Sequence, residues 1–219
     1  MNLLAIDSST AVATVALMVG TETTTVKQDG IREHAQHLLP MVQTLMDQSG
    51  VTWTSLDGIV FGMGPGSFTG IRIACSIAKA LAFAHDLPMY GVKTVDAIAY
   101  QAQLHSIFET PHAILAALDA RMQEVYWAYY PPETPIASSI QVTPVQAVEV
   151  PEVPVILAGW GLEHYADQWS QHLRDVIVAE CVQAPEAESM LHLVAAGHVS
   201  AMSAAEALPF YVRDQVTDK

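Results

Sequence analysis

The segment Gly64-Pro65-Gly66-Ser67-Phe68-Thr69-Gly70 has the composition of a backbone site for an anion. Its glycines reach angles that other residues avoid, Pro65 fixes one φ, and Ser67 or Thr69 can cap a helix that starts there. An apolar run at 58–61 precedes it and a long helical pattern at 71–84 follows. Such a strand-to-helix loop turns free N–H groups outward. That suits a phosphate, or equally the close approach of another stretch of backbone. It is not a Walker A loop, since no Gly-Lys-Ser/Thr closes it. It is not a nucleophile elbow, since Pro65 stands where the first Gly of Gly-x-Ser-x-Gly belongs. Thr69 stands where Gly-x-Gly-x-x-Gly needs its last glycine.

Three other groups carry potential chemistry. Asp7, Ser8, Ser9 and Thr10 end the apolar run 3–6. A carboxylate with small hydroxyls at a strand end meets metal and phosphate in some ATPases, and forms a simple Asx turn in other proteins. Trp160, between Gly159 and Gly161, stacks a base or fills the space of one. His34 and His37 share a helix face, a geometry that metal sites use. The next residues are Leu38, Leu39 and Pro40, with no third ligand, so a surface pair and no metal are expected. Arg121, in an Asp-Ala-Arg turn, is placed to pair with Asp119 or Glu124. No Ser-His-Asp, Cys-His or HExxH constellation supports proteolysis.

These groups need elements to position them. Strands are expected at 3–6, 12–19, 23–27, 58–61 and 89–92, with helices at 32–48, 71–85 and 95–107. Pro40 is expected to kink or loosen the first helix. The second half repeats the order. Strands are expected at 112–118, 125–130, 139–142, 155–157 and 176–178, with helices from Gly161 to about Leu173 and over 188–202. Three prolines in 143–154 argue that the counterpart of the first helix is missing. Each half opens with a strand that ends in Asp, Asp7 or Asp119. This is a degenerate internal duplication with the layout of the actin-like ATPases, whose nucleotide lies between two α/β lobes. The lobes are expected at 1–109 and 110–219, with the tail packing back on the first. Intact members keep a Gly-rich turn after the equivalent strand of the second half. Here that turn reads Asp119-Ala120-Arg121. Asp7, Ser8, Ser9, Gly64, Gly66 and Ser67 then form at most a vestigial phosphate site, and independent ATP hydrolysis is not expected.

Composition excludes several classes. The chain of 219 residues is 51% hydrophobic, enough for a sizeable core. It has no apolar run of the ~20 residues that span a bilayer, and with no basic stretch before the first apolar segment, which carries Asp7, a signal peptide is not expected. Cys75 and Cys181 are isolated thiols without metal spacing, which fits a cytoplasmic protein. Nine Lys and Arg face 23 Asp and Glu, a net charge of −14 with no basic stripe. Affinity for nucleic acid rests on clustered cations, so any nucleic-acid substrate must be held mainly by something else.

The helix over 71–85 is apolar nearly all round, as expected of a helix buried on two sides. Gly70, Ala74, Ala78 and Ala82 make a small-residue stripe, flanked by Ile73, Ile77 and Leu81. The pattern fits an ordinary core helix or one that a second helix approaches closely.

The chain resembles the bacterial tRNA threonylcarbamoyladenosine biosynthesis family TsaB, also called YeaZ. The motifs are Leu4-Ala5-Ile6-Asp7-Ser8-Ser9-Thr10, His34-Ala35-Gln36-His37-Leu38-Leu39-Pro40, Gly64 through Arg72, Asp119-Ala120-Arg121-Met122-Gln123-Glu124-Val125-Tyr126 and Pro209-Phe210-Tyr211-Val212-Arg213. They run in order from end to end. The resemblance implies an actin-like fold and a non-catalytic scaffold for threonylcarbamoyl transfer to adenosine 37 of tRNAs reading ANN codons. It implies a heterodimer with the catalytic subunit TsaD, an ATPase partner TsaE, and self-association when alone. It implies no cofactor beyond ATP or ADP near the partner interface. That interface is expected on Leu38, Val42, Leu45, Met46, Ile73, Ala74, Ile77, Ala78 and Leu81. The alternative reading is a stand-alone ATP-binding kinase or ATPase of the same fold.

Overall fold

A computed structural model of the chain describes residues 1–30, 34–105 and 108–212, the side chains of His34 and Ala35 excepted. Five strands form the first sheet: β1 (Asn2–Asp7), β2 (Val12–Val19), β3 (Glu22–Asp29), β4 (Gly58–Gly64) and β5 (Met89–Lys93), in the order β3-β2-β1-β4-β5. β2 runs antiparallel to β1 and β3, while β4 runs parallel to β1 and β5. The second sheet is built from β6 (Ala113–Asp119), β7 (Glu124–Tyr130), β8 (Gln141–Pro144), β9 (Val155–Trp160) and β10 (Ile177–Val182). Read from β8 it runs β8-β7-β6-β9-β10, the same topology with the same strand directions. The duplication is real at the level of the backbone. A pair of such sheets is the frame of the actin-like ATPases.

Both sheets are covered on both faces, which is why their central strands are almost wholly apolar. Leu4 and Ile6 of β1 pack under α1 (His34–Ser49) through Leu38, Met41, Val42, Leu45 and Met46. α1 runs through Pro40 without ending, and Thr44 donates its hydroxyl to the Pro40 carbonyl at 2.8 Å. α2 (Phe68–His85) lies on the same face. Leu3 and Ala5 point to the opposite face, where Met190, Leu191 and Val194 of α5 (Ala187–Ala195) cover them.

Two helices change sides. α5, from the second half of the chain, packs on the first sheet. α3 (Thr94–Leu104), from the first half, packs on the second: Val95, Ile98 and Ala102 lie against Ile114, Ala116, Tyr130 and Ile156. α3 also fixes the lobes with a polar tie. Buried Asp96 accepts hydrogen bonds from the Tyr130 hydroxyl at 2.7 Å and the Ala137 amide at 3.0 Å.

The second lobe departs from the sequence reading after Gly161. The continuous helix expected to about Leu173 is a short 3-10 turn, Glu163–Tyr165, and then a six-residue helix α4 (Gln171–Val176) capped by Ser170. Tyr165, Trp169 and Leu173 fill the core instead of forming one long apolar stripe. The strand expected at 176–178 is longer and later, and α5 ends at Ala195, seven residues early. Met202 instead pairs with Met89 as an antiparallel bridge on the edge of β5. No helix appears among residues 143–154 beyond a 3-10 turn, in line with their prolines.

Candidate functional site: the inter-lobe cleft and the outer face of α2

The carboxyl ends of β1, β4, β6 and β9 meet around a cleft of about 810 Å³ between the lobes. Fold geometry places ligands at such strand ends. One wall holds Ser9, Thr10 and 65–69, the other Leu118 to Met122 with Tyr126 and Trp160.

The Gly-rich loop uses its glycines for close backbone approach. The Ser67 amide donates to the Ser9 carbonyl at 2.7 Å, and the Ser8 hydroxyl donates to the Gly70 carbonyl at 2.9 Å. A Cβ on Gly66 would lie 2.2 Å from the Ser9 oxygen, and one on Gly70 1.8 Å from the Ser8 oxygen. Only glycine lets the loop seal against the 8–10 turn. The Ser67 hydroxyl then caps α2 by accepting from the Gly70 amide at 3.2 Å.

Asp7 sits behind that seal. It is fully buried, its Oδ2 accepts from the Ser9 hydroxyl at 2.9 Å and the Ser9 amide at 3.2 Å, and its Oδ1 has no hydrogen-bond partner. Gly62 packs directly on the carboxyl, where a Cβ would fall 1.8 Å from Oδ1. Burial pushes the Asp7 carboxyl up to about 7, against the opposing pull of the Ser9 hydrogen bonds. Asp7, Ser8 and Gly64 therefore stay behind the wall, and Ser9, Gly66 and Ser67 face the cleft.

In the second lobe, Asp119 is exposed and accepts from the Arg121 amide and the Tyr165 hydroxyl, both at 2.7 Å. The turn that follows is strained: Arg121, Met122 and Gln123 have φ of 62°, 54° and 61°. Among the described residues no group of three His, Cys, Asp or Glu could hold a metal. The His34 side chain lies outside the described residues, so the pair with His37 is not placed.

The apolar residues expected to meet a partner are placed otherwise. Leu38, Val42, Leu45 and Met46 are buried under α1 against the first sheet. Ala74 and Ala78 are also fully buried, because the small-residue stripe of α2 faces its own sheet and lets the helix lie close to β4. Ile73, Ile77 and Leu81 are half-buried on the same core. These residues hold the monomer together, and six of the nine present no surface. The outward face of α2 is Arg72, Ser76, Ala80 and Phe83, at intervals of four, four and three, with Phe83 84% exposed. Leu39 of α1 is 48% exposed. The signal for Phe83 was its phase: it lies opposite Gly70, Ala74, Ala78 and Ala82.

Arg72 and Lys79 reach the chain's own tail. Arg72 Nε donates to the Tyr211 hydroxyl at 2.8 Å and its guanidinium lies 3.7 Å from the Phe68 ring centroid. Lys79 Nζ donates to the Ala207 carbonyl at 2.9 Å.

The fold and cleft define a two-lobed α/β protein of the actin-like ATPase class. The family pattern TsaD, tRNA N6-adenosine threonylcarbamoyltransferase, matches residues 19–215. A Haemophilus influenzae protein named tRNA threonylcarbamoyladenosine biosynthesis protein TsaB is 32% identical over the whole chain and 96% of its own length. The Escherichia coli protein of the same name is 43% identical over 59% of this chain and 55% of its own. The solved structure of YeaZ from Pseudomonas aeruginosa superposes with a TM-score of 0.84 at 36% identity, covering 96% of this chain and 99% of that one. The chain belongs to the TsaB (YeaZ) family, the TsaD-related proteins of tRNA threonylcarbamoyladenosine biosynthesis. Among the described residues no helix is long and apolar enough to cross a membrane.

Proposed function

We propose that this chain is a non-catalytic subunit of the machinery that transfers a threonylcarbamoyl group to adenosine 37 of tRNA. It works by pairing with a catalytic TsaD subunit, which carries the metal, the activated threonylcarbamoyl group and most of the tRNA contact, and with the ATPase TsaE. The observation that carries this reading is the sealed loop. The Ser67 amide, which a phosphate would need, is already given to the Ser9 carbonyl at 2.7 Å. The Asp7 carboxyl, which a metal would need, is fully buried behind it. A net charge of −14 adds that tRNA must be held by a partner. Any ATP or ADP in the assembly is then shared with the partner interface.

The partner surface we assign is the exposed face of α2 around Ala80 and Phe83. An exposed aromatic on a small-residue face is suited to anchor a helix–helix contact.

The test is a reconstituted reaction with TsaD, TsaE, ATP and tRNA, read as modified nucleoside by mass spectrometry. Modification should require this chain and should survive Asp7→Asn within a few-fold. Loss of activity in a folded Asp7→Asn variant that still binds TsaD would instead assign chemistry to this chain. ATP turnover by the isolated chain would favour a stand-alone ATPase.

A further inference from the structure

The tail motif takes no part in the reading above, and its contacts set it apart from the rest of the surface. Residues 203–212 contain no helix or strand. They run from the Met89–Met202 bridge along α2 to the cleft, where Phe210, Tyr211 and Val212 form part of the lining. The anchors are few: Lys79 and, at 3.8 Å, the Cys75 thiol on the Ala207 carbonyl, the Phe210 amide on the Met63 carbonyl at 2.7 Å, and Arg72 on the Tyr211 hydroxyl. Lys93 lies 5.3 Å from the Phe210 ring, and the Phe68 and Tyr211 rings are 5.9 Å apart. Gly64, with φ of 104°, is shaped for this contact, since a Cβ there would lie 2.8 Å from the Phe210 carbonyl. All these anchors belong to the first lobe. The segment buries only small apolar side chains fully: Ala207 joins the cluster of Ile59, Phe61 and Met89 with Ala204 against it, Phe210 is half-buried, and Leu208 is 63% and Tyr211 39% exposed. Segments held by a few polar anchors open locally at far lower cost than the core.

We propose that residues 203–212 are a detachable strap, an intramolecular contact that occupies the first-lobe wall of the cleft and is released without unfolding the lobes. Seated, the strap covers the Met63 carbonyl, Gly64 and the Phe68–Arg72 ring-and-cation pair. Released, it widens the cleft and leaves the amino-terminal turn of α2 open. Because Arg72 and Lys79 project from the helix that carries Phe83, strap release and the α2 surface are joined through one rigid element. The strap itself does not depend on which partner α2 meets.

Hydrogen exchange on the full chain tests this. The Phe210 amide should exchange faster than the amides of β1, through local opening. Tyr211→Ala removes the Arg72 anchor and should speed Phe210 exchange by about tenfold or more while β1 amides stay unchanged, since hydrogen bonds to charged groups are worth at least that factor. Tyr211→Phe, which keeps the ring, should give a smaller increase. Exchange of Phe210 at the β1 rate in the native chain would overturn the strap, as would indifference of Phe210 to Tyr211→Ala. If Tyr211→Ala loosens the whole fold, β1 exchange rises too, and Arg72→Gln then repeats the comparison from the other side of the bond.

Discussion

The two lobes share one topology and treat the same positions oppositely. β1 and β6 both end in aspartate beside a glycine of the parallel neighbour, Gly62 within β4 or Gly161 just past the end of β9. In the first lobe the carboxyl is swallowed: Asp7 is fully buried, the following turn is sealed by a Gly-rich loop, and an 18-residue helix departs from it. In the second lobe Asp119 stays exposed, the turn is left in three consecutive positive-φ residues, and only a six-residue helix follows β9 after an interval of loop and 3-10 turn. One lobe packs its turn away behind a glycine loop, and the other leaves it as open surface. The difference leaves a cleft whose first-lobe wall is closed by protein backbone.

Substituting the two glycine sets gives the largest effect. Gly70→Ala drives a methyl into the Ser8 carbonyl and should cost about 3 kcal/mol or more, by urea denaturation, as overpacking against backbone does. Gly161→Ala, with φ of 74° and the nearest contact at 3.2 Å from the Asp119 Cβ, should cost about 1–2 kcal/mol. Equal costs would remove the distinction between the sealed and the open turn.

The buried carboxyl gives the next effect, and it depends on pH. With its folded value pushed up to about 7, Asp7 keeps a proton in the fold that the unfolded chain releases near its ordinary 3.8. Its favourable contribution is complete below about pH 4 and is lost as pH rises to 7. Asp7→Asn should therefore gain stability on the native chain between pH 5 and pH 8, by up to a few kcal/mol. A constant gap between the two urea midpoints across that range would mean that the carboxyl ionises freely in the fold.

A smaller effect lies where the lobes are tied. Tyr130→Phe removes one hydrogen bond from buried Asp96 and should cost about 1–2 kcal/mol. No loss would mean that water replaces the hydroxyl and that the α3 exchange rests on apolar packing alone.

The doubled sheet was readable from the sequence because each lobe repeats apolar runs with the same punctuation and the same terminal Asp. The glycines of 64–70 marked an unusual backbone, but composition could not decide between an anion and another strand's carbonyls. That choice depends on Ser8 and Ser9, more than fifty residues away. The α2 stripe reads two ways for a physical reason: small residues signal a close neighbour without saying whether it is a sheet or a second protein. Burial puts Ala74 and Ala78 against their own sheet and leaves Phe83 exposed on the other face. The long helix expected after Gly161 failed because Tyr165 and Trp169 pack as single large side chains of the core. The swap of α3 and α5 between sheets has no local signal at all.

The central claim is that the outer face of α2 holds a catalytic partner. Size-exclusion chromatography with light scattering, on this chain mixed with TsaD from the same source, tests it most directly. The native chain should run as a heterodimer. Phe83→Asp should abolish that species and shift the urea midpoint of the monomer by less than about 0.5 kcal/mol, as an exposed substitution does. A heterodimer that survives Phe83→Asp would contradict the placement, and no heterodimer with the native chain under any nucleotide condition would contradict the function.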